Sequence, residues 1–254
     1  MKKLIALVLS LLAVSSLVAG CSSGKGTTVN SGEKSVTFSL LSSPASLDPA
    51  TTTDGHSLMV ETQLFSMLVE SKGGTSNEIK PDIAESWEIS EDGLTYTFKL
   101  RDDVYFHNGK LLTADDVVYT FNRVMTEPYT SYYAAPIKSV EATDEHTFVA
   151  HLNYPFADFL TLVGGIYFGI CCEEAITAGS DFMYKPVGTG PYKLEGGYIP
   201  GQAFKFVYND QYYGAEPDIK EINFKIQPDT NTAVISLQNG EVDFIPALTV
   251  NDIG

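Results

Sequence analysis

Between Ala84 and Arg101, apolar side chains recur at every second residue on both sides of a single turn, a period that suits a pleated strand and no helix. Trp87 and Ile89 lead into Glu91-Asp92-Gly93, and Leu94, Tyr96, Phe98 and Leu100 follow it. An Asp-Gly turn between two such runs predicts a β-hairpin with one buried face. That face needs a covering layer, and the chain offers candidates close by. Thr113 can cap a helix that carries Val117, Phe121 and Val124 on one side. Residues 140–152, broken at Thr143-Asp144-Glu145, read as a second hairpin.

The flanking segments alternate between the two periods. A strand is expected over 36–41, then turns at Ser43-Pro44 and Asp48-Pro49. Leu58, Glu61, Leu64, Phe65 and Leu68 fall at helical spacing and predict a helix over 57–70, ended by a Gly73-Gly74 loop. His107-Asn108-Gly109 is a turn, and Pro155 opens a predicted helix through Leu162. Strands are expected over 192–194, 203–208, 219–226 and 242–245, with a helix over 230–239 that turns Ala233, Val234 and Leu237 inward. Strands and helices interleave with several hairpins, so the fold class is mixed α/β. No internal repeat is visible.

The N-terminus is of another kind. Met1-Lys2-Lys3, an apolar run over 4–19 and Gly20-Cys21 form a signal peptide over 1–20. The run is shorter than the ~20 residues that a spanning helix needs. Val18-Ala19-Gly20-Cys21 is similar to the lipobox of bacterial lipoproteins, which implies that Cys21 is acylated and becomes the mature N-terminus. Residues 21–34, rich in Ser, Gly and Thr, read as a flexible tether. The chain is therefore expected outside the cytoplasm, lipid-anchored to the cell membrane, at the cell surface or in the periplasm.

Charge and chemistry narrow the partners. Sixteen Lys and Arg against 32 Asp and Glu give a formal charge of −16, which repels phosphate backbones and argues against nucleic acid. The adjacent Cys171 and Cys172 are badly placed to bridge each other and read as buried thiols. His56, His107, His146 and His151 stand singly, so no metal spacing appears. Asp102-Asp103 and Asp115-Asp116 suit a turn and a helix start better than paired catalytic acids. Gly188-Thr189-Gly190-Pro191 lacks the lysine of a phosphate loop and reads as a tight turn feeding a strand. No catalytic residue, metal or cofactor is expected.

Taken in order, several motifs resemble the extracytoplasmic solute-binding proteins of ABC importers, in the family that captures oligopeptides, dipeptides and nickel complexes. They are Ser46-Leu47-Asp48-Pro49, the hairpin over 84–101, Phe106-His107-Asn108-Gly109 with Leu112-Thr113-Ala114-Asp115-Asp116-Val117, Gly188-Thr189-Gly190-Pro191-Tyr192 and Asn239-Gly240-Glu241-Val242-Asp243. The resemblance implies a periplasmic-binding-protein-like type II lobe, with a mixed sheet and β-hairpins and the second lobe missing. Residues 35–65 and 185–254 would form an incomplete first-lobe domain, and 66–184 an accessory domain inserted in it. It also implies a non-enzymatic, lipid-anchored receptor that hands peptides, or less readily a nickel complex, to ABC permease and ATPase subunits. A cell-surface hydrolase using carboxylates and a peptide-sensing lipoprotein without transport are the alternatives.

Two segments are candidate ligand contacts. Thr53, Asp54, Gly55 and His56 offer an edge on which a peptide can lie as an added strand, with Gly55 allowing close backbone approach. Asp54 can meet a ligand cation or cap the following helix, and His56 can be a ligand contact or a satisfied surface histidine. In peptide-binding relatives a segment similar to Pro128-Tyr129-Thr130-Ser131-Tyr132 carries a tyrosine facing the ligand, by position Tyr129. Tyr129 and Tyr132 suit a wet pocket wall, or else pack on their own loop.

Overall fold

The computed structural model describes residues 34–71, 78–179 and 181–246. The expected signal peptide over 1–20, Cys21, the expected tether over 21–34 apart from Lys34, which opens the first described strand, and the Gly73-Gly74 loop lie outside the described residues. In chain order the elements are β1 (Lys34–Leu40), α1 (Gly55–Glu61), β2 (Val69–Ser71), β3 (Ile79–Pro81), β4 (Ala84–Ile89), β5 (Thr95–Leu100), α2 (Ala114–Thr126), β6 (Ile137–Asp144) and β7 (Thr147–Leu152). They continue with α3 (Phe159–Val163), a 3-10 turn over Ile166–Phe168, α4 (Glu173–Thr177), β8 (Tyr192–Glu195), β9 (Phe204–Tyr208), β10 (Ile219–Ile226) and α5 (Thr230–Gln238).

The hairpin forms as its alternation requires. β4 and β5 pair antiparallel, with Trp87 opposite Phe98 and Ile89 opposite Tyr96. Gly93 takes φ +68° in the turn, where Asp92 accepts hydrogen bonds from the Ser90 hydroxyl and the Leu94 amide. β5, β7 and β6 extend the ribbon into an antiparallel sheet of order β4-β5-β7-β6. Thr113 and Asp116 close a capping box at the start of α2, which satisfies its first amides. That helix lays Val117, Phe121 and Val124 on the sheet, and Phe121 meets Phe148 at 4.7 Å and Phe168 at 4.9 Å. Tyr96, Phe98 and Leu100 are buried in this core. β4 departs from expectation: Trp87 is half-buried and Ile89 is 49% exposed. α2 lies over β6 and β7, away from β4 at the sheet edge, so the outer end of the hairpin is thinly covered.

A second sheet has the order β1-β10-β9-β8. β1 runs parallel to β10, and the other pairs are antiparallel, which makes the sheet mixed. Phe38, Phe224 and Phe204 line up across three strands at 5.6 and 4.6 Å, and with Phe206 and Leu40 they build a second core. The chain leaves this sheet after β1, builds the whole of the first, and returns.

Three expected elements are redrawn. The helix predicted over 57–70 stops at Glu61, because the Gln63 and Leu64 carbonyls are claimed by the Tyr192 and Gly190 amides at 3.1 and 2.9 Å. Leu64, Phe65 and Leu68 are still buried, but in a turn and an extended run into β2. The helix predicted from Pro155 starts only at Phe159, after a turn in which the Phe159 amide donates to the Phe156 carbonyl. The strand expected over 242–245 is reduced to one bridge, Phe38 with Phe244, along the free edge of β1.

Candidate functional site

The two candidate segments lie side by side because buried polar groups hold them there. After β1 the chain turns through residues 42–54, and Ser46, Asp48 and Thr52 in that loop are all buried. Asp48 is met by a forked donor: Arg123 of α2 places Nη1 3.1 Å from Oδ1 and Nη2 2.7 Å from Oδ2. Both side chains are mostly buried, and the carboxylate holds the Arg123 guanidinium above its ordinary range against the opposing effect of burial. The Asp-Pro motif is thereby bolted to the last turn of α2. Seven residues beyond Arg123, the buried Thr130 hydroxyl donates to the Ala50 carbonyl at 3.1 Å. The tyrosine loop thus rests on the same turn that leads into Thr53.

Within the first segment, Asp54 caps α1. Its Oδ1 accepts from the His56 and Ser57 amides at 3.1 and 3.2 Å. Its Oδ2 accepts from the Thr52 hydroxyl at 2.9 Å, from the Ser57 hydroxyl and from the Ala45 amide. Burial pushes this carboxyl up, but the bonds from Ser57, Thr52 and Ala45 outweigh it and hold the pKa below the ordinary value. The Ser57 hydroxyl in turn accepts from the Ala45 and Ser46 amides, so the whole loop closes on the start of α1. Asp54 therefore already has a full set of partners. His56 places Nδ1 2.9 Å from the Ser42 hydroxyl. Thr53 and Gly55 are exposed, and no atom lies within 4 Å of a β-carbon built on Gly55, which leaves open space beside that backbone.

In the second segment Tyr129 is 61% and Tyr132 64% exposed. The Tyr132 ring lies 3.9 Å from Tyr133, which stacks on Tyr167 at 4.1 Å with their hydroxyls 3.0 Å apart. Tyr132 thus packs partly on its own loop, whereas Tyr129 projects outward.

Gly188 and Gly190 prove to be a packing junction. A β-carbon on Gly188 would run into the Leu64 carbonyl oxygen, and one on Gly190 into the Gln63 and Leu64 backbone. His107 clasps this turn: Nδ1 accepts from the Gly188 amide at 3.3 Å and Nε2 donates to the Gly190 carbonyl at 3.2 Å. Burial pushes the imidazole down to about 4, against the raising effect of the Gly190 bond. The acidic pairs are also engaged, Asp103 by Arg101 and Asp116 by Lys110 and the Thr113 amide. Cys171 and Cys172 are buried free thiols. A cavity of about 480 Å³ lies on the second sheet among Thr37, Lys205, Asn223, Lys225 and Glu241, and none of the six candidate residues lines it. Among the described residues no cluster of His, Cys, Asp and Glu could hold a metal. Sequence reasoning missed Arg123, His107 as a clasp, and the buried carboxyl of Glu61. Arg123 and His107 gain their roles from partners remote in sequence.

Comparison with known proteins agrees with this architecture. Residues 78–254 match the family described as bacterial extracellular solute-binding proteins, family 5 Middle. The chain is 35% identical to heme-binding protein A of Haemophilus influenzae over 237 residues, covering 83% of this chain and 43% of that protein. It is 32% identical to the dipeptide-binding protein of Escherichia coli over 247 residues, covering 87% and 46%. The periplasmic binding protein DppA from Helicobacter pylori, solved with the peptide STSA, superposes with a TM-score of 0.78 at 30% identity, covering 86% of this chain and 48% of that one. The shared fold is the mixed α/β lobe of type II periplasmic binding proteins. The chain spans under half the length of these relatives.

Proposed function

Because the chain belongs to the bacterial extracellular solute-binding proteins of family 5, we propose that it captures peptides outside the cytoplasm and delivers them to the permease and ATPase of an ABC importer. The observation that carries this reading is the superposition on a peptide-bound protein, with Thr53, Gly55 and Tyr129 exposed on two loops bolted to one turn. A peptide offers the same backbone N–H and C=O groups whatever its side chains, so an open backbone edge at Thr53-Gly55 suits it. Tyr129 adds apolar area with a polar tip. Asp54, spent on its cap, acts by shaping the edge, and His56 and Tyr132 flank it. Closure of a second lobe over this wall would complete the enclosure, since only the closed state lets both walls touch the ligand. The division into 35–65 with 185–254 and an inserted 66–184 is part of the same proposal, supported by two cores built on separate sheets.

Calorimetric titration of the whole chain with the tetrapeptide STSA tests the reading. Saturable binding, weakened in Tyr129→Ala with an unchanged unfolding curve, is expected. Absence of peptide binding alongside saturable binding of hemin or of a nickel–histidine complex would replace it. The resemblance of its N-terminus to a lipoprotein leader supports anchoring through Cys21. Cys21→Ser should release the protein from membranes on fractionation, and a membrane-retained variant would overturn the anchor. Engagement of Asp103 and Asp116 by basic partners weighs against a carboxylate hydrolase.

A further inference from the structure

Glu61, the last residue of α1, is fully buried, and neither carboxyl oxygen has a hydrogen-bond partner among the described residues. A buried carboxylate without a donor is among the costliest groups a protein can hold, so such a site favours the protonated form. Its electrostatic neighbours make ionisation harder still. Asp48 and Asp54 both repel it, one from the bolted turn and one from the helix cap. From the packed elements Cys171 faces it, a buried thiol that feels Glu61, Asp48 and Arg123, and Arg123 is already forked onto Asp48. The positive charge is thus committed to Asp48. Burial first, and the two aspartates next, push the Glu61 carboxyl up to about 9.

We propose that Glu61 is a proton-operated positioning residue: its neutral carboxyl lets residues 46–54 close on α1, and its ionisation drives that loop, and the ligand edge at Thr53-Gly55, away from the helix. The link to ligand rests on the function proposed above; the loop device itself does not. The sign follows from proton counting. In the unfolded chain Glu61 ionises near 4.5, whereas the folded chain keeps the proton to about 9, so folded stability falls as pH rises across that window.

Three measurements on the whole chain test this. Carbon-13 NMR of glutamate-labelled protein should show one carboxyl titrating well above neutral pH, absent in Glu61→Gln and in Glu61→Met. Over pH 5–9 the unfolding constant of the wild type should climb by up to about tenfold per pH unit relative to either variant. Protection of the Ala45, Ser46 and Ser57 amides against hydrogen exchange should drop above pH 9 in the wild type alone. Absence of a high-titrating carboxyl, or wild-type and variant pH profiles that coincide, would overturn the proposal. If the amides are released while STSA affinity holds, Glu61 keeps its role and the loop is removed from the ligand wall.

Discussion

The sheet of β4 to β7 and the loop over 42–56 each have a buried side, yet the two are held by different chemistry. Under α2 the contacts are aromatic: Phe98, Phe121, Phe148 and Phe168 have no exposed surface, and the backbone bonds run in the ladder. In the loop and the helix it leads into, the buried polar groups are Ser46, Asp48, Thr52, Ser57 and Glu61, and backbone amides of the loop donate to side-chain oxygens. Apolar packing tolerates small shifts because it has no direction. A buried polar knot has few solutions, since each group left without a partner is costly. The contrast suits a molecule in which one part is scaffold and another must hold a surface in one shape.

The contrast can be broken at its ends. Phe121→Ala empties the centre of the aromatic layer and should lower stability by ~3–5 kcal/mol, read from denaturant unfolding. Asp48→Ala should cost about 3 kcal/mol by leaving Arg123 buried and uncompensated, while the double variant with Arg123→Met recovers part of it. If the double variant is no better than the single one, the bolt is not a paired unit. His107, which clasps the Gly188-Gly190 turn, gives an effect that appears only on acidification. Its folded pKa lies at about 4 against 6.5 unfolded, so the unfolded chain binds the extra proton. Stability should therefore fall as pH drops from 6.5 towards 4, at up to ~1.4 kcal/mol per unit, and His107→Asn should lose that slope.

This division also marks what the sequence can reveal. The hairpin, the capped helix and the mixed class are legible because Tyr96, Phe98, Val117 and Phe121 repeat with the period of the element they occupy. The helix over 57–70 misleads for a reason the period cannot contain: Leu64 has helical spacing, but its carbonyl is taken by Gly190 from far along the chain. Arg123 reaches an aspartate 75 residues earlier, and His107 clasps an amide 81 residues later. Glu61 reads as one polar position on an apolar face. The two candidate segments are visible as loops, but nothing local says that Thr130 will rest on Ala50.

The parallel pairing of β1 with β10 sets the timetable of assembly. As the polypeptide leaves the ribosome, the β4–β5 ribbon can zip soon after Leu100 emerges, because its partners are neighbours. β1, the first described strand to be made, must wait with an unsatisfied edge until Ile226 has been made. During that interval its unpaired edge is open to pairing with other chains.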